Sequence, residues 1–171
     1  MKRTAVVVLV ACGLVAACGD NDTTTPSNLP LVFTALLSPA NQVPPISNSE
    51  STARGAAQIS FNVTRNASNA ITSATATFYY QVLGLGGTRL IGAHIHSAAA
   101  GVNGPVVVDT GLSPTSPLTL SADAVENTVG SINVDPTLMQ SIIDNPAGFY
   151  FNVHTPANPG GVVRGQLVRI R

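Results

Sequence analysis

The sequence predicts an all-β fold, an antiparallel β-sandwich with one short helix, and three observations support this. Val, Ile and Thr recur in short runs while Lys and Glu are nearly absent, a composition that favours strands. Apolar and polar residues alternate over residues 55–63, as in a strand with one buried face. Gly, Pro and Asn separate the runs at short intervals, which is typical of sandwiches. Seven or eight strands are expected.

The individual strands follow from apolar runs that end at turn-forming residues. They are predicted over residues 31–37, 55–63, 71–83, 89–97, 106–108, 149–155 and 162–170, with weaker candidates at 118–120 and 129–134. Two prolines should make residues 41–45 a stiff extended segment. Residues 155–161 are rich in Pro and Gly and are expected to join the last two strands as a hairpin.

One helix is expected after Asp135, whose carboxylate suits the N-cap position. Pro136 follows at the first helical position, where its missing N–H has no consequence. An apolar stripe at helical spacing then comes from Leu138, Met139, Ile142 and Ile143. We expect this helix to end at Asn145 and to cover the core.

The N-terminus predicts export and lipidation. A basic start and a short apolar stretch, residues 1–17, have the pattern of a signal peptide. Small residues precede Cys18, as in bacterial lipoproteins, and a polar segment, residues 18–30, suits a flexible tether. The alternative is an ordinary secretory signal with Cys18 incidental. We expect one β-sandwich domain, residues 31–171, outside the cytoplasm and anchored by lipid to the cell membrane or the outer membrane.

Composition excludes several classes of function. The two cysteines lie in the predicted signal peptide and at the lipidation position, so the domain has neither a disulfide nor a thiolate site. Formal net charge is zero and no cluster of basic residues follows Lys2 and Arg3, so nucleic-acid binding is not expected. Neither a nucleophile motif nor a pair of carboxylates at catalytic spacing is visible, so we expect no catalysis.

The three histidines fall on predicted strands. Because side chains alternate along a strand, His94 and His96 share one face. Tyr150, Asn152 and His154 share a face of a later strand, and Arg164, Gln166 and Val168 share a face of the last one. If these strands are neighbours, imidazoles, a guanidinium and amides converge on one polar patch.

Two interpretations of this patch stay open. In the leading one, Arg164, Asn152, Gln166 and the histidines form a hydrogen-bonded network that stabilises the fold. In the alternative, His94, His96 and His154 bind copper or zinc, for which imidazole is a good ligand. Three histidines would leave one coordination position open.

Five segments in order resemble the CHRD domain, the chordin-type domain found in chordin and in bacterial exported proteins. They are FTALLSPANQVPP (33–45), AHIH (93–96), GVNGPVVV (101–108), YFNVHT (150–155) and GVVRGQL (161–167). The resemblance implies an immunoglobulin-like sandwich. A fainter similarity links the His-x-His strand and the C-terminal Gly-Gly-x-x-Arg-Gly to copper–zinc superoxide dismutase, a Greek-key sandwich. The dismutase disulfide, zinc-loop ligands and fourth copper histidine have no counterpart here, so dismutase activity is not expected.

Together these features predict a lipid-anchored, non-catalytic binding or structural module of the cell envelope. Its expected partners are the membrane, through the lipid, and an unidentified protein or ligand. The alternative is an envelope protein that binds copper or zinc, with a redox role as one variant of that alternative.

Overall fold

The computed structural model describes residues 29–119 and 124–171, which form two antiparallel sheets packed face to face. Within this part of the chain there are nine strands: β1 (Leu31–Leu37), β2 (Arg54–Arg65), β3 (Ile71–Leu83), β4 (Gly92–Ser97), β5 (Val106–Asp109), β6 (Ala124–Val134), β7 (Phe149–His154), β8 (Val163–Gln166) and β9 (Val168–Arg169). The larger sheet has the order β6-β3-β2-β1-β9 and the smaller sheet the order β5-β4-β7-β8. The predicted all-β sandwich with one short helix is confirmed.

The predicted signal peptide, Cys18 and the tether up to residue 28 lie outside the described residues, and so does the end of the weak strand candidate at 118–120. Its first residue, Leu118, makes only an isolated bridge to Leu90. Among the described residues, no helix has the length and the apolar run that crossing a membrane requires.

The core lies between the two sheets and is built from the alternating apolar faces. Phe151 of the smaller sheet stacks on Phe78 of the larger one with ring centroids 5.8 Å apart, and it contacts Tyr80 at 5.3 Å. Phe33 and Phe61 meet edge to face at 5.5 Å within the larger sheet. All five rings are fully buried, and aromatic pairs in these geometries stabilise a core beyond the area they bury.

The helix α1 (Pro136–Asp144) forms where the sequence predicts it, between β6 and β7. The Asp135 carboxylate accepts hydrogen bonds from the backbone N–H groups of Thr137 and Leu138, so the first turn is capped. Met139 and Ile142 are buried in the core, as the apolar stripe predicts. The helix therefore acts as a cover over the core.

Two expectations about the strands are wrong in detail. The predicted strand 162–170 is two strands, because the chain leaves the smaller sheet after Gln166 and joins β1 in the larger sheet as β9. A Cβ on Gly165 would lie 2.1 Å from the Leu36 carbonyl oxygen, so only glycine permits this close crossing. A short 3₁₀ helix, Pro39–Asn41, includes Asn41, the first residue of the segment 41–45 that was expected to be extended, whereas Gln42 directly after it is extended.

The outer face of the smaller sheet carries the polar patch. His94 lies opposite Asn152 and His96 opposite Tyr150 in the β4–β7 pairing, while Arg164 lies opposite Asn152 in the β7–β8 pairing. The loops at residues 39–50, 98–105 and 155–161 contribute hydrogen-bond partners to this face. These loops cover the outer face of the smaller sheet. Its polar side chains therefore form a buried polar layer, on the opposite side of the sheet from the apolar core.

Candidate functional site

Three imidazoles form a cluster at one end of this polar layer. His94 and His96 come from β4 and His154 from the end of β7, where its pairing with Gly92 brings it beside the first two. Each ring offers one nitrogen, and these three nitrogens lie within 4.8 Å of one another. The closest pair is Nδ1 of His94 and Nε2 of His154, at 3.1 Å.

Backbone carbonyls set the tautomers of two of the rings. Nδ1 of His96 lies 2.9 Å from the Gly104 carbonyl oxygen, and Nδ1 of His154 lies 3.0 Å from the Pro159 carbonyl oxygen. Because a carbonyl only accepts, each Nδ1 carries the proton and each Nε2 presents a lone pair. Within the described residues, Nε2 of His96 is buried and has no hydrogen-bond partner.

His94 cannot satisfy both of its neighbours with one proton. Its Nε2 lies 3.4 Å from Oδ1 of Asp109, and its Nδ1 faces the lone pair on Nε2 of His154. A proton on Nε2 leaves two lone pairs facing each other at 3.1 Å, whereas a proton on Nδ1 leaves a lone pair facing the carboxylate. An additional positive charge, as a second proton or a metal cation, resolves this conflict.

Burial disfavours the second proton. The pKa of His94 is lowered, chiefly because burial destabilises the imidazolium, although the carboxylate of Asp109 acts in the opposite direction. Burial likewise lowers the pKa of His96, and it lowers that of His154 to about 4 despite the hydrogen bond to the Pro159 carbonyl. All three rings are therefore neutral near pH 7, and their lone pairs are available to a cation.

Asp109 and Gly92 also support the histidine cluster, and neither was predicted from the sequence to belong to it. Asp109 lies opposite His94 in the β4–β5 pairing, and its carboxylate is more than half exposed at the rim. Gly92 gives the rings room, since a Cβ there would lie 2.8 Å from Cε1 of His94. The positions of both residues beside the cluster depend on how the strands pair. Residue spacing along the chain does not reveal that pairing.

Arg164 lies beside the cluster but belongs to a different set of contacts. Its side chain is 1% exposed, and Nε donates to the Asn41 carbonyl while Nη1 donates to Oδ1 of Asn103 at 2.9 Å. The guanidinium lies over the Tyr150 ring, with Cζ 4.6 Å from the centroid. His96 stacks on the same ring at 4.8 Å with the planes nearly parallel, so Tyr150 separates the guanidinium from the imidazoles.

The two amides of the patch are also committed to structural hydrogen bonds. Asn152 accepts a hydrogen bond from Gln42 at 2.7 Å and donates to the Gly160 carbonyl. Gln166 lies at the far end of the sheet and donates to backbone carbonyls, among them that of Ala147 at 2.7 Å. The structure thus divides the predicted patch into a histidine cluster and a network of Arg164, Asn152 and Gln166. Val168 is in neither, because β9 belongs to the other sheet.

We predict that Arg164→Met destabilises the fold by more than about 2 kcal/mol, because hydrogen bonds to a charged group each contribute roughly 1.5–3 kcal/mol. Urea unfolding followed by circular dichroism measures this on a chain that begins at residue 18. Arg169→Met is the matched control, since Arg169 is exposed and should change stability by no more than about 0.5 kcal/mol. Equal effects of the two variants would contradict the structural role of Arg164.

We also predict that the metal-free protein loses stability as the pH falls from about 6.5, the ordinary pKa of histidine, towards 4, the lowered pKa of His154. The unfolded chain binds a proton in this range and the folded chain resists it, so acid favours unfolding. The loss from His154 is about 3 kcal/mol, and His154→Gln should flatten this dependence. Urea unfolding with EDTA present, together with NMR titration of the imidazole protons, tests this. Titration of His154 near 6.5 would disprove it.

Comparison with known protein families gives one match. The sequence model of the CHRD domain matches residues 33–167, which include every strand of the smaller sheet, all three histidines and Arg164. Neither the comparison with curated proteins nor the comparison with solved structures gives a match. The match covers most of the 171 residues and agrees with the all-β sandwich. The chain belongs to the CHRD domain family.

Proposed function

We propose that this CHRD protein is a non-catalytic metal-binding module that holds a copper or zinc ion through His94, His96 and His154. The observation that carries the proposal is the convergence of three lone pairs in one buried cluster. Two of them are oriented by carbonyl contacts to Nδ1, the arrangement typical of histidine ligands in metal sites. The carboxylate of Asp109 beside Nε2 of His94 adds the same kind of second contact.

The distances fit a first-row transition metal after a small movement. Bonds of 2.0–2.1 Å in a tetrahedral site separate ligand nitrogens by about 3.3 Å. His94 and His154 already present their nitrogens at 3.1 Å, while the widest separation in the cluster is 4.8 Å. A rotation of the His96 ring towards the other two therefore completes the site.

The donor set favours copper or zinc over harder cations. Imidazole suits copper, zinc, iron and nickel, whereas calcium and magnesium prefer oxygen ligands. Three neutral donors leave a coordination position for water or a partner's side chain. The His94 side chain is 16% exposed beside Asp109, so the histidine cluster reaches the protein surface at this rim.

The other interpretation of the polar patch, a hydrogen-bonded network that stabilises the fold, applies to Arg164, Asn152 and Gln166. Their side-chain polar groups are mostly paired with backbone and side-chain partners, as stabilising buried groups usually are. The histidines differ in the kind of group that is left unpaired. Among the described residues, Nη2 of Arg164 is a buried N–H donor without a partner, whereas Nε2 of His96 offers an unpaired lone pair and Nδ1 of His94 faces a second one. Buried groups left in this state are costly unless a ligand pairs with them.

We further propose that the module is held at the cell envelope by lipid on Cys18. The small residues before Cys18 and the polar segment after it support this proposal. The membrane is then the first partner, and the open metal position is where a second partner would bind. Membrane fractionation distinguishes an anchor in the cell membrane from an anchor in the outer membrane.

We predict that the protein binds one equivalent of Cu(II) or Zn(II) with micromolar or tighter affinity. A chain beginning at residue 18, with Cys18→Ser and any affinity tag removed, isolates the site, because the three histidines are the only ones present. Competition against a chromophoric chelator gives the affinity. His96→Ala should abolish stoichiometric binding, and Asp109→Asn should weaken binding roughly 10–100-fold.

The matched control for Asp109→Asn is Glu126→Gln, which removes an exposed carboxylate from β6, away from the cluster. It should leave metal affinity unchanged. Circular dichroism of each variant verifies that the fold is retained. Absence of stoichiometric binding by the unmodified site at micromolar metal would overturn the proposed function.

For the anchor, we predict that Cys18→Ala prevents lipid attachment and releases the protein from the membrane fraction when it is expressed in bacteria. Mass spectrometry of the mature N-terminus and membrane fractionation measure the two effects. A Cys18→Ala protein that stays in the membrane fraction with unchanged processing would show that the lipoprotein interpretation is wrong.

A further inference from the structure

The outer face of the larger sheet ends in a row of exposed apolar side chains along β1 and β9. Leu36 is 77% exposed, Val168 57% and Ile170 60%. Val168 lies opposite Thr34 in the β1–β9 pairing, and Ile170 follows on the same side of the chain, bonded through its N–H to the Val32 carbonyl. These side chains therefore form one continuous strip, here called the β1–β9 strip.

A shallow groove of about 600 Å³ continues the strip. Its lining includes Leu36 and Val168 from the sheet and Val43 and Ala100 from the loops over the smaller sheet, together with polar residues such as Gln166. Val43 is itself 37% exposed. The apolar surface thus extends from the edge of one sheet across to the loops that cover the other, which is more than scattered single residues provide.

Charge is distributed unevenly around the strip. Arg169 and Arg171 flank Ile170 in the chain and are exposed at the edge of the sheet. Arg169 lies opposite Phe33, so its side chain leaves β9 on the side opposite Val168 and borders the strip from the sheet edge. Among the described residues, no acidic side chain lies on β1, β8 or β9. Acidic residues lie instead at the opposite edges of the two sheets, with Glu126 on β6 and Asp109 on β5. An apolar strip bordered by arginines is complementary to a surface that has an apolar interior beneath an anionic outer layer.

The start of the domain lies next to the same strip. β1 begins at Leu31, and the N–H of Val32 donates to the Arg171 carbonyl, so the chain enters the sandwich beside Arg171 and Ile170. Ten residues separate Cys18 from Leu29 in the sequence, and they span at most about 36 Å when extended. A lipid on Cys18 therefore keeps the strip close to the bilayer.

We infer that the β1–β9 strip docks on the anionic surface of the membrane that holds the anchor. This inference rests on the proposed lipid attachment at Cys18. The tether raises the effective concentration of membrane at the strip, so a contact too weak to bind a free protein is sufficient. Leu36, Val168 and Ile170 enter the headgroup region, and Arg169 and Arg171 contact lipid phosphates. β5 and the rim of the histidine cluster lie at the other edge and stay in solution.

Single tryptophans test the inference, because the chain has no native Trp. Leu36→Trp is placed in the strip, and Val106→Trp, at another exposed apolar position, on β5, is the control. A chain beginning at residue 18 has Cys18 as its one thiol and is coupled to a maleimide lipid in vesicles of phosphatidylcholine with or without phosphatidylglycerol. Emission spectra and quenching by brominated lipids are recorded for each.

We expect a blue shift and several-fold stronger quenching for Leu36→Trp on the anionic vesicles, and neither for Val106→Trp. Arg169→Gln combined with Arg171→Gln should reduce the effect, and so should high salt. An unchanged Leu36→Trp spectrum on coupling, or equal quenching at both positions, would overturn the inference. A shift that depends on protein concentration without lipid would also overturn it and would indicate self-association.

Chemical coupling separates this test from the test of the anchor. If the bacterial Cys18→Ala experiment fails but the coupled protein docks, the strip binds membranes and the natural lipid attachment is wrong. If lipidation is found and Leu36→Trp does not respond, the anchor stands and the docking is wrong.

Discussion

The buried guanidinium of Arg164 is the interaction on which the polar half of this sandwich depends. It is 1% exposed, has no carboxylate partner among the described residues, and is held by the Asn41 and Val102 carbonyls, Asn103 and the Tyr150 ring. These contacts come from three separate parts of the chain, since Val102 and Asn103 belong to one loop. Because a buried charge is tolerated only when it is solvated by the protein, these segments must assemble around it.

That assembly also orders the histidine cluster. The loop at residues 102–104 is fixed by Arg164 at one end, and it presents the Gly104 carbonyl to His96 at the other. The Gly104 N–H also contacts the Tyr150 hydroxyl at 3.3 Å. The positive charge of Arg164 contributes to the lowered pKa of His96 and so helps to keep that ring neutral. The structural network and the candidate metal centre are therefore neighbouring parts of one layer with different tasks.

The strand phases of the site were predictable from the sequence, because side chains alternate along a strand whatever its neighbours are. That rule places His94 and His96 on one face of their strand. It likewise places Asn152 and His154 on one face of theirs, and the pairing of β4 with β7 then brings all four to the same face of the sheet. Asp109 was not predictable as a partner of His94, since pairing between strands decides it. The break after Gln166 was also missed, because a run of apolar residues does not reveal that a chain changes sheets.

Composition, periodicity and the capping residue determined the fold class and the helix after Asp135, and the ordered motifs indicated the resemblance to the CHRD family. They did so because these properties depend on local backbone preferences and on ordered motifs. Only the tertiary structure decided which polar residues form the stabilising network and which ones bring imidazole lone pairs together. Hydrogen bonding and lone-pair orientation depend on distances between segments remote in sequence, as for Nδ1 of His94 and Nε2 of His154 at 3.1 Å, and spacing along the chain does not encode them.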